Sequence, residues 1–592
     1  MRRNALWAVI LFTFAAGTAG ADTRADHPVL RAIGNEEARG EITGAQADLY
    51  TVLYLTGSSD LPVRFSDLDG ETLRCGTQIL SEIAERAAGY SGEARQGVDK
   101  ALARPAGLSE SIDTEHFRIH YATSGGNVIW GWPDPTYRDG VAEACEASWQ
   151  EYHSSQSWDV VPGDGAAGGG SDLTDCYVTN LGPGLYGYAE WESAVDGGAP
   201  NDRTGFFVID NDYTGFGYAD RLDPAKVTIA HEFHHVIQFG YTYGGGGGWW
   251  MEQTSTMQED EVYDDINDNY DYLGCFLALP YKKLSYTNGC HEYGGFIWPR
   301  FMRELFDLQL IEDIWHDLKW SGGNGLSQAE ANLAGRGSSL DGAFIEFGTW
   351  NFYTSVRDDG GHYEEGAGYN AVAYDRIFTS YPWHDQHPSA NRMPDRLGTS
   401  YMRFQPDPVS THNILRLTFD GPPGTASVKL LAKEEGAGTF HEHVMTLDGN
   451  QDGVIEVQNW DLMDYAYMAV AMGNLSADAQ DYVFDAVTEQ GSASVGDGPQ
   501  RIVLAAQSSP NPFHPVTTIR YSLGEGAEVL VRVVDASGRS VRTLVDGPQA
   551  AGRHEVLWSA EDDAGRRVPA GVYFYQIQAG GYARSQKMVL LP

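Results

Sequence analysis

His231-Glu232-Phe233-His234-His235, followed by Trp249-Trp250-Met251-Glu252-Gln253-Thr254-Ser255, is the stretch whose reading decides the fold. The first five residues fit H-E-x-x-H. On a helix, residues four apart lie one turn apart on the same face, so His231 and His235 can grip one metal ion. Glu232 then stands beside that ion, where it can take a proton from water. Tetrahedral zinc requires a third protein ligand and keeps one position open for chemistry, and a carboxylate on a second helix, Glu252, completes such a set. This pattern points to a zinc-dependent peptidase.

The flanks support a helix. Asp223-Pro224 reads as an N-cap followed by proline at the first helical position, and Gly240 as a C-terminal stop, which predicts a helix of about 16 residues. Val227, Ile229, Ala230, Phe233, Val236 and Ile237 give it an apolar body, in which His and Glu are costly to bury without a partner. From Trp249 a second helix is expected to run to about Val262, with Glu252 and Glu259 seven apart on one face. The sixteen residues between His235 and Glu252 leave room for the Gly244–Gly248 run to turn the chain back. Glu259 reads as a supporting carboxylate more than a ligand.

These two segments resemble the gluzincin metallopeptidases, whose second helix reads Trp-x-x-Glu-Gly-x-Ala with a further Glu seven residues after the ligand. Gln253 and Ser255 depart from that pattern at the Gly and Ala positions. Residues 40 to 490 more broadly resemble large secreted bacterial proteins of metalloprotease type, through Glu115–Tyr121, Tyr186-Gly187-Tyr188, Val208–Asp212 and Thr228–His231. The resemblance implies Zn2+ as cofactor, His231, His235 and Glu252 as metal ligands, and Glu232 as general base. Aminopeptidase-like gluzincins also carry a Tyr at the start of a comparable later helix. Tyr293 is therefore the candidate oxyanion donor, with His291 the second choice.

Length and composition frame this reading. A chain of 592 residues exceeds one core and divides into several domains. Residues 1–21 read as a secretory signal peptide, with a basic start, an apolar stretch from Ala5 to Ala16 and a small-residue cleavage site at Ala19-Gly20-Ala21. No later apolar run reaches the length of a membrane span. The formal net charge of −42, from 82 acidic and 40 basic residues, argues against a nucleic-acid or anionic-membrane partner; a protein or peptide substrate is what the peptidase reading implies. Five cysteines in an exported chain permit disulfides. Cys275–Cys290 is the first expected pair and Cys145–Cys176 the second, leaving Cys75. That residue reads either as a buried small apolar side chain or as a thiolate that fills the open metal position of a silent precursor.

The expected architecture is multidomain: an α+β gluzincin-like metallopeptidase core, a helical segment before it and two all-β sandwich domains after it. Residues 22–108 read as a helical pro-segment or accessory domain, with Ile79, Leu80, Ile83, Ala84 and Ala87 on one face. Residues 109–380 form the peptidase domain, with a strand over Phe117–Tyr121, a helix over Val141–Tyr152, a Gly-rich linker at 162–170, strands at Asp175–Asn180 and Thr204–Asp210, and helices ending near Tyr353. Tyr381–Pro394 reads as a boundary. Alternating strands over 395–488 suggest a sandwich, in which Asp448–Gly453 resembles the start of a calcium loop but lacks its final Glu, so that a plain turn is expected. After a small-residue linker at 490–500, residues 500–592 alternate again. Asn511-Pro512-Phe513, Gly538-Arg539, Ala570–Tyr573 and Lys587–Leu591 resemble immunoglobulin-like C-terminal modules of the hook-capping-protein or gliding-bacteria sorting type. That resemblance implies a partner in export or surface-anchoring machinery, and a secreted or cell-surface location. A different class stays open: a surface binding or adhesion protein with a structural or degenerate metal site. Hydrolysis of a non-peptide amide or ester is a third reading.

Overall fold

The computed structural model describes residues 27–591 apart from 67, 69–72, 166–169, 183, 196–197, 200, 243–246, 425, 435–439, 474–476, 491–503, 510–512, 524–525, 536–537, 551 and 580–581. The expected signal peptide lies outside the described residues, as do most of the Gly244–Gly248 turn and of the 490–500 linker. The chain forms two compact units. One contains the described residues up to Leu279 together with Leu284–Val372; the other contains Pro280–Lys283 and the described residues from Ala373 onward.

The first unit begins with helices α1 (Pro28–Ala38), α2 (Gly44–Leu55) and the short α3 (Val63–Ser66), followed by α4 (Thr77–Ala87) and α5 (Gly92–Leu102). Thr43 caps α2 by accepting a hydrogen bond from the Gln46 amide, while the Gln46 side chain returns to the Thr43 amide. The expected apolar face of α4 is present, with Ile79, Leu80, Ile83 and Ala87 buried. Within this helical segment one element was not foreseen. Between α3 and α4 the chain runs extended as β1 (Leu73–Cys75), which is too short for its alternation to be read from sequence.

Strand β1 is the edge of a six-stranded sheet in the order β1-β5-β6-β4-β3-β2, with β2 Glu110–Asp113, β3 Phe117–Tyr121, β4 Thr174–Thr179, β5 Leu185–Ala194 and β6 Arg203–Asp210. It pairs parallel with β5, in the register Leu73↔Leu185 and Cys75↔Gly187. Leu73, Leu80 and Ile83 share one buried core with Leu185, Tyr188, Phe206 and Val208 of the sheet. The helices before β2 are thus built into the same core as the strands.

Helix α6 (Thr136–Gln150), continued by a π turn over Glu151–Ser155, precedes β4 in the chain. After β6 come the two helices of the decisive stretch, α7 (Leu222–Tyr241) and α8 (Gly248–Val262). Helix α7 starts earlier than Asp223-Pro224 suggested. The N-cap position is Arg221, and the Asp220 carboxylate accepts from the Leu222 amide at 2.9 Å. Proline is tolerated throughout the first turn, where its missing N–H has no intrahelical partner, so Pro224 alone did not fix the boundary. Further on lie α9 (Tyr270–Ala278), α10 (His291–Gly294) and helices Ile297–Leu305, Leu310–Ser321, Gly325–Gly335 and Leu340–Phe352. A disulfide joins Cys275 to Cys290, as expected. The expected Cys145–Cys176 bond is not formed: both are free, buried thiols that meet side by side as a hydrogen-bonded pair.

The second unit holds two β-sandwiches. A four-stranded and a five-stranded sheet, from Ile377–Phe378 to Val483–Glu489, enclose a core with Met402, Leu417, Leu430, Ile455, Trp460 and Met468. The stretch expected as a boundary contributes a strand of its own, Trp383–Gln386, which pairs with Val483–Glu489. Proline and histidine marked irregular chain there, but Tyr381-Pro382 precedes an edge strand, where proline costs no ladder bond. Asp448 makes a plain turn, its carboxylate accepting from the amides of Asn450 and Asp452 at 2.8 and 3.0 Å. The last sandwich, from Leu504–Ser509 to Tyr582–Leu590, pairs a three-stranded with a four-stranded sheet around Ile519, Val531, Trp558, Tyr575 and Met588.

Candidate metal centre

Helix α7 packs against β5 and β6, and α8 packs back against α7. That arrangement brings His231, Glu232, His235 and Glu252 into one buried cluster, none more than 1% exposed. The Nε2 atoms of His231 and His235 face each other at 3.1 Å. Glu252 Oε2 lies 3.1 Å from His231 Nε2 and 3.5 Å from His235 Nε2.

The outer nitrogens decide which way these imidazoles point. His231 Nδ1 donates to Glu259 Oε1 at 2.7 Å, and His235 Nδ1 donates to Gln238 Oε1 at 2.8 Å. Gln238 is itself held, its amide donating to the Met251 carbonyl at 3.1 Å and to Thr254 Oγ1 at 3.0 Å. With a proton on each Nδ1, both Nε2 atoms carry lone pairs, and Glu252 Oε2 adds a third acceptor. Three acceptors converging in a buried space repel one another unless a proton or a metal cation lies between them. Among the described residues, Glu252 Oε1 and Glu232 Oε1 are buried without a hydrogen-bond partner. The donor set of two imidazoles and one carboxylate therefore fits zinc.

The electrostatics agree. Burial disfavours a charged His231, yet hydrogen bonds to Glu252 and Glu259 outweigh it and lift the group to about 10. Burial would raise Glu252, yet His235 and His231 hold it down to about 2. Both directions describe a space that favours positive charge. Glu232 behaves differently: burial raises its carboxyl above the ordinary range despite the nearby imidazoles. A raised carboxyl suits a group that must accept and return a proton.

Glu259 is too occupied to be a ligand. Its second oxygen pairs with Arg74, whose guanidinium also pairs with Asp268 and lies over the Tyr186 ring at 4.5 Å. Tyr293, on α10, stands beside the cluster, its ring centroid 6.3 Å from that of His231. Its hydroxyl donates to the Cys75 carbonyl at 3.4 Å, and burial raises its phenol well above the ordinary range, so it remains a donor. His291 is engaged elsewhere, through Nδ1 to the Tyr286 carbonyl at 3.1 Å and a ring contact with Phe276.

Three participants escaped the sequence reading: Arg74, Thr77 and Gln238. Gln238 sits three residues after His235 on the same helix, which was a usable signal. Arg74 and Thr77 come from a segment more than 150 residues away and had none.

A family model described as the FlgD Ig-like domain matches residues 515–582, within the last sandwich. No curated protein matches the chain. Among solved structures, the chain is similar to PorZ, a bacterial surface component of the type-IX secretion system of Porphyromonas gingivalis, at 22% identity and a TM-score of 0.12, over 19% of this chain and 14% of that one. It is also similar to dimeric latent PorU from Porphyromonas gingivalis, at 16% identity and a TM-score of 0.15, over 31% of this chain and 16% of that one. A Faecalibacterium prausnitzii β-glucuronidase is similar at 12% identity and a TM-score of 0.13, over 32% of this chain and 36% of that one. Likenesses this slight decide neither fold nor function. Among the described residues, no helix is long and apolar enough to cross a membrane.

Proposed function

We propose that the protein is a secreted zinc-dependent peptidase that hydrolyses peptide bonds, with His231, His235 and Glu252 as the metal ligands and Glu232 as general base. The observation that carries the reading is the convergence of three buried acceptors from two helices, with Glu232 on the same helix as the two histidines. Bound zinc supplies Lewis-acid polarisation of the scissile carbonyl and a lowered pKa for water. Glu232 takes the proton of the attacking water at its carboxylate and returns it to the leaving amine. Tyr293 donates its hydroxyl to the developing oxyanion, a contact whose removal commonly costs about 3 kcal/mol of barrier.

A binding protein with a structural metal is the competing reading. It is favoured by Cys75, whose Sγ is close enough to be a fourth donor, since structural zinc sites are closed. The presence of Glu232, which a structural site does not need, favours hydrolysis. Glu232→Gln separates the two. The variant is expected to keep about one zinc per chain while its hydrolysis of a casein-like substrate falls by about 10²–10⁴. Unchanged proteolysis refutes the assigned base, and screening ester and non-peptide amide substrates separates the third class. The C-terminal sandwich, with its FlgD Ig-like segment, is assigned to export or surface attachment.

A further inference from the structure

The donor cluster has a member from outside the two metal helices. Cys75 Sγ and the ligand atoms of His231, His235 and Glu252 all lie within 4.8 Å of one another. Cys75 ends β1, and α4 opens two residues later with Thr77. The Thr77 hydroxyl donates to Glu232 Oε2 at 3.0 Å and accepts from the Ala189 amide of β5 at 2.7 Å. Cys75 Sγ points at the same Glu232 oxygen at 3.4 Å. A cysteine that merely fills space would face carbon; this one faces two carboxylates and two imidazoles. The adjoining oxygens Glu232 Oε1 and Glu252 Oε1 are buried without hydrogen-bond partners, which marks the space they border as one that takes a ligand.

We propose that Cys75–Thr77 is a built-in plug of the metal centre: Cys75 Sγ takes the coordination position that hydrolysis needs open, and Thr77 occupies the carboxylate of the general base. Sγ binds as thiolate, and its proton passes to Glu232 Oε2. In this state the protein is latent. The inference rests on the zinc-peptidase reading above.

The surroundings say how the plug is held and how it opens. Its backbone is fixed by the Leu73 amide donating to the Gly184 carbonyl at 2.8 Å and the Gly76 amide donating to the Gly187 carbonyl at 3.0 Å. Arg74 anchors it further through Glu259 and Asp268. Helix α4 shares its core with the sheet, so shedding the whole N-terminal segment would expose Leu185, Tyr188 and Phe206 to water. Opening therefore consists of β1 and the first turn of α4, which carries Thr77, leaving the edge of β5 while the remaining helices stay docked.

Cobalt(II) substitution of the full-length protein tests this without relying on turnover. Wild type is expected to show visible d–d bands and a near-ultraviolet thiolate-to-cobalt charge-transfer band. Cys75→Ala is expected to keep the d–d bands and lose the thiolate band. A tethered ligand acts at an effective concentration on the order of millimolar, so its loss should raise hydrolysis of a casein-like substrate by at least about tenfold. Wild-type d–d bands without the thiolate band, or a thiolate band that survives in Cys75→Ala, overturn the plug and leave the metal reading standing. Failure of wild type to bind cobalt or zinc overturns both. If Cys75→Ala does not fold, iodoacetamide labelling of wild type followed by peptide mass mapping decides. Cys75 should be protected when metal is bound and labelled after chelation, with the buried Cys145 and Cys176 unlabelled as the control for unfolding. Equal labelling of Cys75 in both states overturns the plug.

Discussion

Glu259 stands behind the proposed metal centre, holding one of its candidate ligands from the outside. Its carboxylate holds His231 Nδ1 at 2.7 Å and is itself pinned by Arg74, which is buried with it. The chain Asp268–Arg74–Glu259–His231 sets the ring's orientation and keeps its Nε2 lone pair turned inward. Such outer partners typically contribute 10–100-fold to metal affinity. Glu259→Gln retains an acceptor for Nδ1 and removes the charge. It is therefore expected to weaken zinc binding by about tenfold in competition with a chelator, while the far-ultraviolet circular dichroism stays unchanged. Equal affinity in variant and wild type would reduce Glu259 to a packing role. The pairing with Arg74 makes a second consequence visible: the side chain that tunes His231 is also tied to the strand that carries Cys75, so ligand geometry and the plug share one anchor.

At the scale of elements, the spacing between β5 and α7 is fixed by Gly187. A Cβ at this position would come within 2.7 Å of Thr228 Cγ2, 2.8 Å of the Val208 carbonyl oxygen and 2.9 Å of Glu232 Cγ. The carbonyl cannot step aside, so helix and strand must separate or Glu232 must turn. Gly187→Ala is expected to cost about 1–3 kcal/mol in urea unfolding and to lower hydrolysis as well, because Glu232, the proposed general base, is one of the groups displaced. A variant with wild-type stability and activity would show that the sheet yields there. The same strand illustrates what could be read in advance. Helices α7 and α8 were legible because their chemistry and their helical spacing lie within one short window. Tyr186-Gly187-Tyr188 drew notice as part of a resemblance, yet β5 was missed: its first six residues are all buried, and a strand covered on both faces lacks alternation. β1 was hidden for a different reason, since three residues carry no periodicity and its pairing partner lies over a hundred residues away. Cys145 and Cys176 misled because compartment permits a disulfide but does not require one. The candidate ligands were therefore visible from local sequence, whereas the plug beside them depends on contacts made at long range.

For the whole molecule, the question is whether the proposed hydrolysis and the proposed attachment are separable. The two sandwiches have distinct cores, one built on residues such as Leu417 and Met468 and the other on Ile519 and Tyr575. The candidate ligands and base all belong to the first unit, and the FlgD Ig-like match falls wholly within the last sandwich. Domains with their own apolar cores fold as units and tolerate division at the chain between them. A chain stopped after Glu489 is thus expected to retain about one zinc and a rate of peptide hydrolysis within about twofold of the full-length protein measured in the same latent or opened state. The readouts that should change are those of location: the full-length protein is expected in the cell-surface fraction of a producing cell, and the shortened one in the medium or retained inside. Loss of zinc from the shortened chain would mean that the last sandwich supports the peptidase fold. An unchanged surface fraction would move the anchoring role to another part of the protein. The two measurements fail independently, so each decides one role of the C-terminal sandwich whatever the other shows.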